Sequence, residues 1–234
     1  MTSLRVMTYN IHHARGMDDV VDLPRIAAII AAEEPDIVAL QEVDRRMART
    51  GGVDQPAELA RLTGLTPIYG PAIVQDDGAE YGNMVLTRLE ARELANVPMP
   101  GEPRAALTLS CRMPGGVEFL FVATHFDTKA EPRSHAPRII EQYLATHPPT
   151  PAILAGDLNI RPHVELMAEL TTQWENATAG EEAPTIFPNG NGKQIDYVLY
   201  RPAEAWQVKN VRVLDEMVAS DHMPVVVDLE HVAA

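Results

Sequence analysis

Basic, aromatic and sulfhydryl side chains are all scarce in this 234-residue sequence. Only three lysines occur, Lys129, Lys193 and Lys209, and 19 Lys and Arg stand against 33 Asp and Glu, a net charge of −14. Binders of long DNA or RNA replace counterions along the phosphate chain with a basic surface, so long nucleic acid is disfavoured as a partner. The single cysteine, Cys111, cannot form an internal disulfide, and nothing argues for an oxidising compartment. It reads as a small core side chain. With two tryptophans, Trp174 and Trp206, and 5% aromatics, no aromatic hairpin for lipid insertion is evident. No apolar run approaches the ~18 residues of a membrane span. The N-terminus has no basic region leading into a long apolar stretch, as a signal peptide would. The expectation is a soluble, cytoplasmic protein without a membrane span.

What is present is an ordinary apolar fraction, 46%, in a chain of a length suited to one domain with a large core. Proline and glycine are scattered, as in many short strands joined by turns. Leu4-Arg-Val-Met-Thr-Tyr-Asn-Ile11 alternates and is β-rich. A helix follows, with Asp22 as its cap, Pro24 in its first turn and Leu23, Ile26, Ile29 and Ile30 on one face. Ile37-Val-Ala-Leu-Gln-Glu42 is a buried strand ending in an acid. A second short helix covers Pro56 to Thr63. Strand-like segments run over 66–73, 81–87, 104–113 and 118–124, with Pro114-Gly115-Gly116 as a hairpin turn between the last two. Pro132 to Leu144 reads as a helix, 152–156 as a buried strand and Pro162 to Leu170 as another helix. Strands near 194–200, 208–214 and 224–229 close the chain. Strands outnumber helices and interleave with them, which predicts sheets packed face to face with helices outside.

The informative residues are the polar ones that interrupt or end apolar strands: Asn10, Glu42, His125, Asp157 with Asn159, Asp196, and Ser220-Asp221-His222 before the last strand. Burying a lone carboxylate costs several kcal/mol unless a cation or a donor compensates it. Several such groups at strand ends therefore predict one shared ligand. Oxygen donors without cysteine suit magnesium or manganese rather than structural zinc.

Seven segments occur in a characteristic order: Thr8-Tyr-Asn-Ile11, Leu40-Gln-Glu-Val-Asp44, Tyr81-Gly-Asn83, Ala123-Thr-His125, Ala155-Gly-Asp-Leu-Asn159, Gln194-Ile-Asp-Tyr-Val198 and Ser220-Asp-His-Met-Pro-Val225. Together they resemble the endonuclease/exonuclease/phosphatase superfamily, over residues 4 to 227. Each alone is weak evidence; the ordered set is specific.

The resemblance implies an α/β four-layer sandwich, two mainly antiparallel β-sheets packed face to face with helices on the outside, forming a single catalytic domain over 1–234. It also implies a magnesium-dependent phosphoester hydrolase (manganese is the alternative ion) that works by direct, in-line water attack on phosphorus. Glu42 is then the principal metal ligand, with Asn10 and Asp221 beside it. Asp157 orients or deprotonates the attacking water. Asn159 binds the phosphate or that water, and Gly156 lets the backbone turn tightly. His222 pairs with Asp196, which fixes the ring tautomer and favours an imidazolium that donates to a phosphoryl oxygen. His125 is a second phosphate contact or the proton donor to the leaving group. Arg104 matches a phosphate-contacting arginine, and Asn83 a residue lining the substrate cleft.

Blander readings stand beside these. Asn10 alone suits a turn, Asp157-Leu-Asn159 suits a turn after a strand, His125 a satisfied core histidine, and Arg104 a solvated strand start. His12 and His13 have no assigned role. His135, His147, His163 and His231 are expected on the surface. The acidic composition points to a small phosphorylated molecule or lipid head group, with a phosphodiester preferred. The alternatives are a DNA repair-type endonuclease or exonuclease, a zinc hydrolase, and a catalytically inactive binding relative; the last usually loses the Glu, Asp or final His kept here. Oligomeric state is not legible.

Overall fold

The computed structural model describes residues 2–180, 183–187 and 192–232. In chain order the elements are β1 (Thr2–Asn10), α1 (Leu23–Glu33), β2 (Ile37–Arg45), α2 (Gln55–Thr63), β3 (Thr66–Val74), β4 (Glu80–Thr87), β5 (Glu90–Met99) and β6 (Arg104–Arg112). They continue with β7 (Glu118–His125), α3 (Ala130–Leu144), β8 (Ala152–Asp157), α4 (Glu165–Leu170), β9 (Glu175–Asn176), β10 (Asp196–Arg201), β11 (Trp206–Val213) and β12 (Val225–His231). Two six-stranded sheets form, ordered β11-β12-β1-β2-β4-β3 and β5-β6-β7-β8-β10-β9. Each is antiparallel except for one central pair: β1 runs parallel to β2 with α1 as the crossover, and β7 parallel to β8 with α3.

Side-chain alternation makes the layers. Leu4 and Val6 of β1, Ile37 and Ala39 of β2, Phe119, Phe121 and Ala123 of β7, and Ile153 and Ala155 of β8 fill the space between the sheets. Met7 and Tyr9 of β1 and Val38 and Leu40 of β2 point the other way, against Ile26 and Ile30 of α1 and Leu59 of α2. On the far side, Leu120, Val122, Leu154, Tyr197 and Leu199 pack under Ile140 and Leu144 of α3 and Met167 and Leu170 of α4. The result is helix, sheet, sheet, helix, as expected.

Local signals account for the helices. The Asp22 carboxylate accepts from the Arg25 N–H at 2.9 Å, capping α1, and Asp54 caps α2 in the same way through Ala57. α2 stops at Gly64, whose φ of 71° is left-handed. α4 is shorter than the sequence suggests, beginning at Glu165 after a turn at Pro162 and His163. Strand β5 is absent from the sequence reading. Its Glu90-Ala-Arg-Glu-Leu-Ala-Asn-Val-Pro-Met99 run is charged and contains proline, the composition of an edge strand, and it pairs only with β6.

Gly156 is needed for close approach rather than for a turn. It lies within β8, and a Cβ there would fall on the Thr124 carbonyl oxygen of neighbouring β7. Gly156→Ala should therefore lower folding stability by about 1–3 kcal/mol, read as a reduced urea midpoint. An unchanged midpoint would show that β7 and β8 can separate at no cost.

Candidate active site

Strand direction and alternation bring the polar residues to one end of the sandwich. β1, β2, β7 and β8 end there, while β10 and β12, antiparallel to their neighbours, begin there. Asn10 continues the inward face of Leu4 and Val6; His125 continues that of Phe121 and Ala123; Asp157 that of Ile153 and Ala155. Asp196 lies opposite Asp157 in register, and His125 beside it. The two sheets thus each deliver polar side chains to the mouth of one core.

Glu42 breaks this parity. On an unbroken β2 it would share the face of Val38 and Leu40, beneath the helices. A bulge against β4 between Leu40 and Val43, with Glu42 at φ 61°, shifts the register by one. Val43 takes the outward position, and the Glu42 carboxylate swings to Asn10, whose Nδ2 donates to Oε1 at 3.1 Å. A left-handed non-glycine residue costs roughly 1–2 kcal/mol, and here that strain re-aims the side chain.

Asp157 is the hub. Its Oδ1 accepts from the Asn159 N–H at 2.8 Å. Its Oδ2 accepts from Asn10 Nδ2 at 3.2 Å and lies 3.3 Å from His125 Nε2 and 3.7 Å from His222 Nε2. Burial acts to raise its pKa, but the adjoining His125 and then His222 outweigh this, and the carboxyl stays well below the usual range. Asn159, itself left-handed at φ 52°, donates from Nδ2 to the Phe126 carbonyl at 3.0 Å and sits 3.3 Å from His125 Nε2.

His222 Nδ1 meets Asp196 Oδ2 at 2.9 Å. The same oxygen accepts from the Thr185 hydroxyl at 2.6 Å, and that hydroxyl accepts from the Asp196 N–H. Burial pulls the His222 pKa down, yet Asp196, then Asp157 and Asp221, override it and raise the value from 6.5 to about 10. The ring is an imidazolium at neutral pH. Its pairing contributes stability fully below pH 6.5, and that contribution is lost as pH rises through about 10. Ser220 fixes the backbone here, donating to the Asn10 carbonyl at 2.8 Å and accepting from the His222 N–H.

The remaining predicted residues fall around this cluster. Arg104 is no solvated strand start: its side chain is only 12% exposed, donates to the Tyr81 hydroxyl at 2.8 Å and pairs with Glu102 at 3.0 Å. Asn83 is buried, and its amide donates to the Ala105 carbonyl at 2.8 Å, bridging β4 of one sheet to β6 of the other. Asp221 is half-exposed; its Oδ1 lies 3.3 Å from the Ser220 hydroxyl oxygen and 3.8 Å from His12 Nδ1.

Burial opposes ionisation of Glu42, but His125, the Asn10 amide, Arg104 and His12 hold its pKa below the ordinary value. Beside it stand His12 and His13, with one donor atom from each of the three within 4.8 Å of the others. A second set, Asp157, Asp196 and His222, meets the same spacing; there His222 is hydrogen-bonded to Asp196 Oδ2, while Asp196 Oδ1 has no partner among the described residues. Three imidazole nitrogens are buried without a partner among the described residues: His125 Nδ1 and, on the two rings beside Glu42, His12 Nδ1 and His13 Nδ1. Ionised oxygen next to orphaned nitrogen fits a divalent cation at Glu42.

The sequence left His12 and His13, next to Asn10 at the strand end, without a role, and gave no signal for Thr185, an isolated threonine that bonds Asp196.

A family model described as the Endonuclease/Exonuclease/phosphatase family matches residues 7–222, and the chain belongs to that family. It is accordingly a metal-dependent phosphoric ester hydrolase. The solved endonuclease/exonuclease/phosphatase of Beutenbergia cavernae DSM 12333 is 30% identical with a TM-score of 0.83, over 100% of this chain and 73% of that one. Mannosyl-6-phosphatase Bt3783 of Bacteroides thetaiotaomicron VPI-5482 is 20% identical with a TM-score of 0.76, over 97% of this chain and 99% of that one. Truncated TDP2 of Caenorhabditis elegans is 19% identical with a TM-score of 0.71, over 97% of each chain. At those identities the last two speak to the fold alone. Among curated proteins no significant match was found.

Replacing Asp196 by Asn removes the largest charge that stabilises the His222 imidazolium. The His222 pKa, followed by NMR of the ring protons, should fall by about 1–3. If it stays near 10, Asp196 is not what holds the proton.

Proposed function

We propose that the protein is a phosphodiesterase acting on a small phosphorylated molecule or a lipid head group, by direct attack of water on phosphorus, with residues 1–234 as one catalytic domain. The carrying observation is a single ionised carboxylate, Asp157, flanked by two histidines of which one is paired to a second buried acid.

Glu42, with Asn10 and Asp221 nearby, would hold a divalent cation (magnesium or manganese), which would supply positive charge against the negative phosphoryl oxygens. The chain's own groups do the rest. Asp157, kept ionised, orients the attacking water and takes its proton. Asn159 N–H clamps the other oxygen of that carboxylate, so the acceptor cannot rotate away. Among the described residues the His222 Nε2–H has no acceptor closer than Asp157 at 3.7 Å, and it donates to a phosphoryl oxygen as charge builds. Asp196 and Thr185 fix the ring that carries it. His125 approaches the same Asp157 oxygen as His222, at 3.3 Å, with the Asn159 amide 3.3 Å from its Nε2, and this pair contacts the phosphoryl group or protonates the departing oxygen.

Charge favours a diester. Of the guanidiniums near Glu42, Arg49 is paired with Asp44 at 2.7 Å and Arg104 with Glu102 at 3.0 Å. Little uncompensated positive charge remains for a dianionic monoester beyond His222 and the cation. The acidic balance of the chain, −14, works against long nucleic acid for the same reason.

Asp157→Asn or His222→Ala should each reduce turnover by about 10²–10⁴-fold with the melting transition retained; near-parental turnover in a folded variant removes the assigned role. A panel of phosphodiesters and phosphomonoesters, assayed with magnesium, manganese and EDTA, should show faster diester hydrolysis that EDTA abolishes. Preferential cleavage of an abasic-site duplex at physiological salt would point instead to a repair-type nuclease.

A further inference from the structure

The His12–His13 pair has no part in the chemistry above, yet its geometry is costly. His12, His13 and Ala14 follow one another at φ 45°, 46° and 62°, three successive left-handed residues, none a glycine. At roughly 1–2 kcal/mol each, such a turn persists only where the surroundings fix it. Here the His12 N–H donates to Asn10 Oδ1 at 3.1 Å, the His13 carbonyl accepts from buried Gln55 at 2.7 Å, and the Ala14 N–H closes on the Ile11 carbonyl at 2.7 Å. The turn folds both rings back over the strand end, with centroids 4.4 Å apart, toward the bulged Glu42.

The rings arrive unsatisfied. His13 is 7% exposed, and its Nδ1, like that of His12, is buried without a hydrogen-bond partner among the described residues. An orphaned buried polar atom carries a desolvation cost of about 1–3 kcal/mol. The approach of His12 Nδ1 to Asp221 Oδ1, 3.8 Å, is too long for a hydrogen bond. It falls between the about 3.0 Å of adjacent and the about 4.2 Å of opposite donors around an ion bound at about 2.1 Å.

From this we propose that His12 and His13 are nitrogen ligands to the cation at Glu42, and that the site selects a first-row transition dication over magnesium. Magnesium takes oxygen donors and gives up water reluctantly, whereas imidazole suits transition ions. Two imidazoles beside one carboxylate, with Asp221 adjacent, form a mixed set that the oxygen-only expectation did not include. The inference rests on the proposed cation at Glu42 but concerns which ion is held, not what is hydrolysed.

The test is binding rather than turnover. Purified protein loaded with Mn²⁺ should show, by pulsed EPR, ¹⁴N coupling from directly bound imidazole. Mn²⁺ should also displace Mg²⁺ in competition. His12→Asn, at a partly exposed position, should weaken Mn²⁺ by at least about tenfold and Mg²⁺ far less, so that the preference narrows. His13→Gln should do the same where its melting transition shows it folded, and the His12 variant decides where it does not. Absence of ¹⁴N coupling in the parent protein, or equal losses for both ions in the folded His12 variant, would overturn the proposal while leaving the hydrolase reading intact. Failure of any divalent cation to bind would remove both.

Discussion

A carboxylate buried between two β-sheets is the constraint around which this molecule is arranged. Asp157 is 1% exposed, and an ionised carboxylate cannot sit in a low-dielectric core without compensation. It receives that compensation from both sheets at once: Asn10 from the first, His125 and the Asn159 backbone from the second, and His222 from the segment leading into β12. His222 then needs its own partner, which brings in Asp196 and, behind it, Thr185. Removing any one of these strands a charge or a donor, so the hydrogen-bond network and the packing of the sheet ends are a single cooperative unit.

Topology supplies the convergence. One parallel pair in the middle of each otherwise antiparallel sheet places two strand ends at the same edge, and the flanking antiparallel strands place their starts there too. Alternation then decides which side chains face inward. The apolar inner faces of β7 and β8 run directly into His125 and Asp157, and that of β1 reaches Asn10 past buried Thr8, so the site is the polar rim of the same core that holds the sheets together.

Backbone strain is concentrated at this rim. Glu42, Asn159, His12 and His13 all have left-handed φ values, and their side chains gather in the two polar clusters around Glu42 and Asp157. The bulge at Glu42 and the turn after Asn10 act on neighbouring strands of one sheet, and together they assemble a carboxylate and two imidazoles that a regular sheet would keep apart. Local strain of this kind is maintained by the rigid sandwich beneath it.

The sequence alone determined the layered architecture, because alternating apolar strands and amphipathic helices leave few ways to bury their faces. It also singled out the polar strand ends, since Asn10, His125 and Asp157 lie where apolar runs stop and Asp196 where one begins, and the ordered motifs name the family. Asp22 as the cap of α1 was legible because capping is local. Edge strand β5 was not, because its charged, proline-containing run carries no core-facing signal and only pairing with β6 makes it a strand. Tertiary structure decided the rest. It converted Glu42 from an outward to an inward residue through a bulge, drew Arg104 into a buried pair with Tyr81, committed Asn83 to a bridge between sheets, and supplied Thr185 as the second partner of Asp196. It also gave His12 and His13 their place beside Glu42. These outcomes depend on register shifts and on contacts between residues far apart in the chain, which residue order does not encode locally.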